Sequence, residues 1–317
     1  MIVNYNLPIW PEDHPTQYYK TYSTIVKNFE QAFEDKYPCS KILFVDNTYL
    51  NADQIVAAIK SCGCDVVAVF SLVDPPYAWH YLEEQISQHC CNVVARFIGN
   101  ESPDITVDFF WLLCITEMPN YCQEDLIPDE IDLVYLNYNS KPHQHRVDLI
   151  AELHRRELDS WGMNTLHEHI YMQPGIVQSL GDLQIWRRHF LNIDSATVFR
   201  IGDSQLLISE KEFKPLLGLR PFVINGSPRY YQVLEKLGFD LFDDLLPIDQ
   251  LQQEKDTIEE TMHYCHSIIC DIIHDLSKQN LDLLYAKMLP RLQVNRQHVL
   301  DHGKYLVNKW CHEHIEL

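Results

Sequence analysis

The chain is short of positive charge and lacks the common phosphate-binding signatures. Its 25 lysines and arginines stand against 45 aspartates and glutamates, a formal net charge of −20. That balance opposes non-specific attraction to nucleic acid or to an anionic membrane, because each would meet a repulsive average field. Neither G-x-G-x-x-G nor G-x-x-x-x-G-K-[ST] occurs, which disfavours ordinary dinucleotide binding and P-loop chemistry. No uninterrupted apolar run reaches the ~18 residues of a membrane span. The opening MIVNYNLPIWPEDHP has no basic stretch followed by an apolar one, so a cytoplasmic protein is expected. Ten cysteines are present, but Cys62/Cys64 and Cys90/Cys91 form no paired C-x-x-C units. Reduced, mostly buried thiols are expected rather than zinc ligands. The pairs His143/His145, His167/His169 and His312/His314 stand at i, i+2, a spacing that diverges on a helix, and no metal site is expected.

What is present is ordinary globular material, 46% hydrophobic and 22% charged, with 16 prolines that do not cluster. The length suits two domains or one large α/β domain. SKILFVDNTY predicts a buried strand over 41–46, and NADQIVAAIKSCG a helix closing on Gly63. DVVAVFSLVD and CNVVARFIG predict two further strands, YAWHYLEEQISQHC a helix between them, and ITVDFFWLLCITEM a core helix. Continuous apolar strands alternating with helices mark a parallel sheet covered on both faces.

A polar, acidic stretch over 120–129, punctuated by Pro119 and Pro128, reads as a linker. The alternation then resumes. IDLVYLNY, SATVFRI and RPFVING predict strands; HQHRVDLIAELHRREL, SEKEFKPLLG and SPRYYQVLEKLG predict helices, the last ending at Gly238. Beyond Leu251 the pattern is helical, with the tail divided into two helices near Pro290. The expected fold is α/β, with two Rossmann-like domains over 1–127 and 128–250 and a helical segment over 251–317. Such sheets bind ligands at the carboxyl ends of their strands, here in the cleft between the halves.

Two helix starts in the second half carry cations. Ser209 is a good N-cap and Glu210 suits the first turn, but Lys211 beside it is unfavourable unless an anion lies there. Arg146 follows a Ser-Lys-Pro turn in the same way. Together with exposed helix amides they could form a diphosphate cradle that needs no metal. The alternative is that Arg146 pairs with Asp148 or Glu152 and Lys211 is simply solvated. His154-Arg155-Arg156 and Trp186-Arg187-Arg188-His189 read as solvated helix faces.

The phrase SEKEFKPLLGLRPFVINGSPRYYQVLEKLGFDLFDDLL contains Ser209-Glu210-Lys211, Lys214-Pro215, Arg220-Pro221-Phe222, Gly238-Phe239 and Phe242-Asp243-Asp244. It resembles the donor-binding region of fucosyltransferase-like glycosyltransferases of the GT-B type, in particular a branch frequent in phages and large viruses. Upstream, LNYNSKPHQHRVDLIAELHRREL is similar to that branch's Asn-Arg-x-Pro-x-x-His-Arg segment, and the resemblance continues to the C-terminus. It implies that Glu210 bonds the donor ribose and that Lys211 and Arg146 contact the diphosphate from two sides. Asp203-Ser204 stand where the family has Glu and a small hydroxyl residue, and Asn139 where it has Asn or Ser. Leu207 replaces an aromatic residue.

The resemblance implies a nucleotide-diphosphate sugar as donor, no required metal, and inverting transfer to a hydroxyl acceptor. That acceptor could be a glycan, a glycolipid precursor, a protein or a hydroxylated base of phage DNA, the last disfavoured by the charge. A viral origin would make the compartment the host cytoplasm. An inverting enzyme needs a carboxylate base, and Asp46, Asp74 and Glu101 all follow predicted strands in the first half. Asp243-Asp244 is expected to cap a short helix rather than bind metal. The rival reading is a non-catalytic sugar-nucleotide-binding module or assembly subunit, motivated by Asp203 and Leu207.

Overall fold

The structure, a computed structural model, describes residues 2–5, 31, 34–35, 37–46, 52–70, 84, 86–88, 94–98, 105–107, 121–139, 142–166, 180–196, 199, 206–208 and 210–316. By compactness the chain divides into Met1–Glu117 with Gly303–Leu317, and Met118–His302. The helices from Leu251 to His302 thus belong to the second unit.

In the first unit Ile2–Tyr5 (β1), Ile42–Asp46 (β2), Val66–Phe70 (β3) and Val94–Ile98 (β4) form a parallel sheet in that order. Ile42 lies opposite both Ile2 and Val66, and Val66 opposite Val94. Ala52–Cys62 (α1) packs on β2. It buries Ile55, Val56, Ala58 and Ile59, the stripe that a helical period dictates. The helix stops at Gly63, whose φ of +57° suits a residue without a Cβ. Ile105–Val107 (β5), the first three residues of the expected helix ITVDFFWLLCITEM, form a strand, as β-branched Ile-Thr-Val favours; the rest of that stretch lies outside the described residues.

The second unit holds the other parallel sheet. Its strands are Leu133–Asn137 (β6), Gly162–Asn164 (β7), His189–Ser195 (β8) and Phe222–Asn225 (β10), in the order β10-β8-β6-β7. The chain therefore moves from β6 outward to β7 and then returns to the other side of β6 to place β8. Leu206–Ile208 (β9) is a short strand between β8 and β10 in sequence.

Helices of this unit are Gln123–Leu126 (α2), Gln144–Arg155 (α3), Leu183–Trp186 (α4), Glu210–Leu217 (α5), Arg229–Lys236 (α6), Ile248–Leu251 (α7) and Ile258–Leu276 (α8). Leu281–Glu316 (α9) begins in the second unit. Helices α3 and α8 pack on each other and on β10, and α5 packs on β8. Gly238, with φ +88°, follows α6 as expected.

Further elements differ from the sequence reading. A strand that the sequence reading lacks runs over His189–Ser195, all seven of its residues buried, and reaches the first residue of the expected strand SATVFRI, of which 197–198 and 200–201 lie outside the described residues. Pro290 sits inside α9 instead of dividing it. A proline there removes one helix donor, at about 3 kcal/mol. The buried Tyr285, Met288, Leu292 and Asn295 around it hold both sides of the helix against the core. No helix among the described residues is long and apolar enough to cross a membrane.

Candidate functional site at the carboxyl edge of the second sheet

All four strands of the second sheet end on a short amide or hydroxyl residue: Asn137, Asn164, Ser195 and Asn225. Parallel pairing puts these ends side by side, so their side chains meet in one row. Asn137 Nδ2 donates to Asn164 Oδ1 at 2.9 Å, and Asn164 Nδ2 to Tyr135 Oη at 3.0 Å. Ser195 Oγ donates to Asn137 Oδ1 at 3.3 Å and accepts from Asn225 Nδ2 at 3.2 Å. Asn139 adds its Nδ2 to Asn137 Oδ1 at 2.6 Å and to Ser195 Oγ at 3.5 Å. Its backbone is pinned separately by Thr165, whose Oγ1 accepts from Asn139 N at 2.8 Å and donates to Asn139 O at 2.9 Å.

Asn137, Asn139, Ser195 and Asn225 are all buried. Neutral amides can occupy such a place because each hydrogen bond made repays desolvation that an ion would repay only with a counter-charge. The row crosses the boundary between β6 and β8, where the strand order reverses. Open parallel sheets bind ligands at that point.

The expected phosphate cation Arg146 is turned inward. It is 2% exposed, and its Nη2 donates to Ser195 O at 3.0 Å and Ala196 O at 2.9 Å. His145 Nε2 donates to the same Ala196 O at 2.9 Å. The reason is local: β8 ends at Ser195, so its last carbonyls lose their ladder partners and the first turn of α3 supplies donors in their place. Arg146 therefore clamps the strand end, and neither expected pairing, with Asp148 or with Glu152, describes it. Burial pushes the His145 imidazole down to about 4, with Arg146 lowering it further. From α8, His266 reaches Asn225 Oδ1 at 3.0 Å, and burial pushes it down to about 4 as well.

The other sequence candidates fall as follows. Asn139 and Arg146 are brought together at Ser195. Glu210 opens α5 and Lys211, half-buried, follows in its first turn. Asp46 is the last residue of β2 in the first unit. Asp74, Glu101, Asp203, Ser204 and Ser209 lie outside the described residues. Asn137, Asn164, Ser195, Asn225 and His266 were not picked out from sequence. The available signal was that LVYLN, GMN, HFLNIDS and FVIN share a polar last residue.

The amino edge of the sheet looks different. A shallow cavity of about 350 Å³ there is lined by Asp129, Glu130, Asp132, Gln184, Arg187 and Arg188. Its arginines are engaged, Arg187 with Asp129 at 2.6 Å and Arg188 with Asp132 at 2.5 Å. Arg155 and Arg156 pair with Glu152, and Arg156 also with Asp271. Both short basic clusters are thus neutralised locally. No group of three or more His, Cys, Asp or Glu side chains among the described residues could hold a metal ion. No family model, curated protein or solved structure matches the chain.

Proposed function

We propose that the chain is a GT-B-like, metal-independent and inverting glycosyltransferase. In this reading the second unit is a Rossmann-like donor domain and the first unit a Rossmann-like acceptor domain. The observation that carries it is the reversal of strand order at β6/β8, with a buried neutral amide row at that edge. The Ser-Glu-Lys helix start resembling a donor site belongs to the same unit.

The chemistry follows from where charge develops. Breaking the glycosidic bond to a nucleoside diphosphate leaves an oxocarbenium-like sugar and adds negative charge to the departing phosphate. Lys211 and the first amides of α5 would stabilise that charge more in the transition state than in the ground state. The acceptor hydroxyl loses its proton to a carboxylate as it attacks the anomeric carbon from the opposite face. The candidates for that base are those of the sequence, Asp46, Asp74 and Glu101.

The inward turn of Arg146 favours one second reading, a sugar-nucleotide-binding module without turnover. With Arg146 committed to Ser195 O and Ala196 O, fewer cations face the phosphate. A thermal-shift panel of UDP, GDP, ADP, CMP and their sugar conjugates, with and without EDTA, followed by assay of donor hydrolysis, separates these readings. Stabilisation insensitive to EDTA together with sugar release supports the enzyme. Stabilisation without sugar release, even with hydroxyl acceptors present, supports the binding module, and no stabilisation by any compound overturns both.

A further inference from the structure

Asn225 settles its own orientation and, with it, the state of His266. Asn225 Nδ2 donates to His145 O at 3.1 Å, and a carbonyl can only accept. Oδ1 is therefore the atom 3.0 Å from His266 Nε2, and that nitrogen must carry the proton. From His266 the donors all point one way: into Asn225, then Ser195, Asn137, Asn164 and finally Tyr135. Asn139 joins from the side and commits its Nδ2 to Asn137 and Ser195. Among the described residues this leaves Asn139 Oδ1 as the row's one acceptor without a donor, on a residue 3% exposed. Asn139 follows β6 and bonds the end of β8, so the open acceptor lies where the strand order reverses.

We propose that His266 is a positioning residue for this edge: together with His145 O it holds Asn225 in this one orientation, and through Asn225 it steadies the row that presents Asn139 Oδ1 to a hydroxyl or N–H of the ligand. The proposal rests on the reading that this edge binds a nucleotide sugar. It adds that a sugar, ribose or base donor docks at Asn139 and that the diphosphate does not, because a phosphate oxygen and an amide oxygen are both acceptors and repel. Without the donor from His266, Asn225 could turn its amide over only by giving up His145 O. Ser195 would then face an oxygen where it now accepts a hydrogen, and the disturbance would pass to Asn137 and Asn139.

The test uses the full chain. Nitrogen-15 NMR of the imidazole reads the tautomer directly, and calorimetric titration with UDP-, GDP- and ADP-sugars compares wild type with His266→Gln, His266→Leu and Ile269→Val. Ile269, buried on the same helix, has no polar side-chain atom and controls for lost stability alone. Expected are an Nε2–H tautomer, affinity within about twofold of wild type for His266→Gln, which keeps a donor, and a loss of about tenfold or more for His266→Leu. Ile269→Val should bind as wild type does. An Nδ1–H tautomer, or wild-type affinity in His266→Leu, overturns the proposal while leaving the nucleotide-sugar reading intact. If wild type binds none of the probes, the underlying reading has failed and this proposal falls with it.

Discussion

Arg220 Nη1 lies 3.1 Å from Tyr285 Oη, and both groups donate to Leu219 O, at 2.8 Å and 3.2 Å. The guanidinium is fully buried and also reaches Leu126 O at 3.2 Å and Trp186 O at 2.9 Å. Those carbonyls end α2 and α4, and Leu219 follows α5 by two residues. One cation thus faces three helix C-termini, the ends where partial negative charge collects. Burial pulls Arg220 down to about 10, which leaves it protonated at neutral pH.

Replacing this cation with an apolar side chain should therefore cost far more than an ordinary core substitution. Arg220→Met leaves buried carbonyls at three helix ends without their donor and should lose about 3–5 kcal/mol. Tyr285→Phe removes one hydrogen-bonding hydroxyl and should lose about 1 kcal/mol. Urea unfolding monitored by far-UV circular dichroism measures both, and equal losses would show that Arg220 is not the organising partner.

The strands that form continuous apolar runs were legible from sequence: ILFVD, VVAVF, VARFI, LVYLN and FVIN all appear where hydrophobicity alone puts them. The central strand β8 was not, because HFLNIDS carries His189, Asn192, Asp194 and Ser195 among its apolar residues. Its burial is a property of the tertiary structure: neighbours on both edges and helices on the sheet supply the partners that make polar side chains tolerable. The site was half legible for the same reason. Arg146 stands out near a helix start and Asn139 through the family resemblance, but the direction of Arg146 depends on Ser195 being the end of a strand, and the sequence reads Ser195 as the start of one. His266 lies on a helix that sequence reads only as packing, and nothing in its local pattern reveals that it reaches the strand ends.

Acid should weaken the fold earlier than carboxylate titration would. His145 and His266 ordinarily titrate near 6.5, and burial holds each at about 4; fully buried His189 is pushed well below its usual value too. The unfolded chain takes up protons that the folded chain refuses. The stability these groups contribute is therefore fully present above about pH 6.5 and is lost progressively toward pH 4, by about 3 kcal/mol at most for each of the first two. Arg155 holds Glu152 at about 2, so its contribution begins to fade only below its ordinary range near 4.5. Exposed His154, raised by Asp159, works in the opposite direction and weakly. Urea midpoints measured from about pH 7.5 to about pH 5 should fall in wild type and fall less steeply in His266→Gln, which removes one titrating site.

Arg146 and Lys211 should separate cleanly between stability and binding. Arg146→Ala deprives Ser195 O and Ala196 O of a buried donor and should lower stability by about 3 kcal/mol, with or without ligand. Lys211, half-buried in the first turn of α5, should instead matter to the ligand: Lys211→Ala weakens nucleoside-diphosphate binding by about tenfold. Differential scanning fluorimetry and calorimetric titration on the same samples decide it. A melting temperature unchanged in Arg146→Ala would return that residue to the ligand.

Asp240, rather than the adjacent acidic pair, should prove the sensitive carboxylate in the turn after α6. Arg291 grips Asp240 with Nε at 2.6 Å and Nη2 at 2.7 Å, while its Nη1 reaches Asp244 at 2.8 Å and its plane stacks 4.9 Å from the Phe242 ring centre. That grip holds the Asp240 carboxyl below its usual range, and the same carboxylate accepts Phe242 N at 2.9 Å. Asp244 is largely exposed, and its carboxylate answers to Arg291 on α9 instead of capping a following helix as the sequence suggested. Asp240→Ala, which removes a bidentate charge-assisted pair and a turn bond, should cost about 2–3 kcal/mol, and Asp244→Ala under about 1 kcal/mol. Because Arg291 already engages both groups, added Mg²⁺ or Mn²⁺ should shift the melting temperature of wild type and Asp244→Ala by the same amount. A metal-dependent gain present in wild type and absent from Asp244→Ala would instead make the pair a cation ligand.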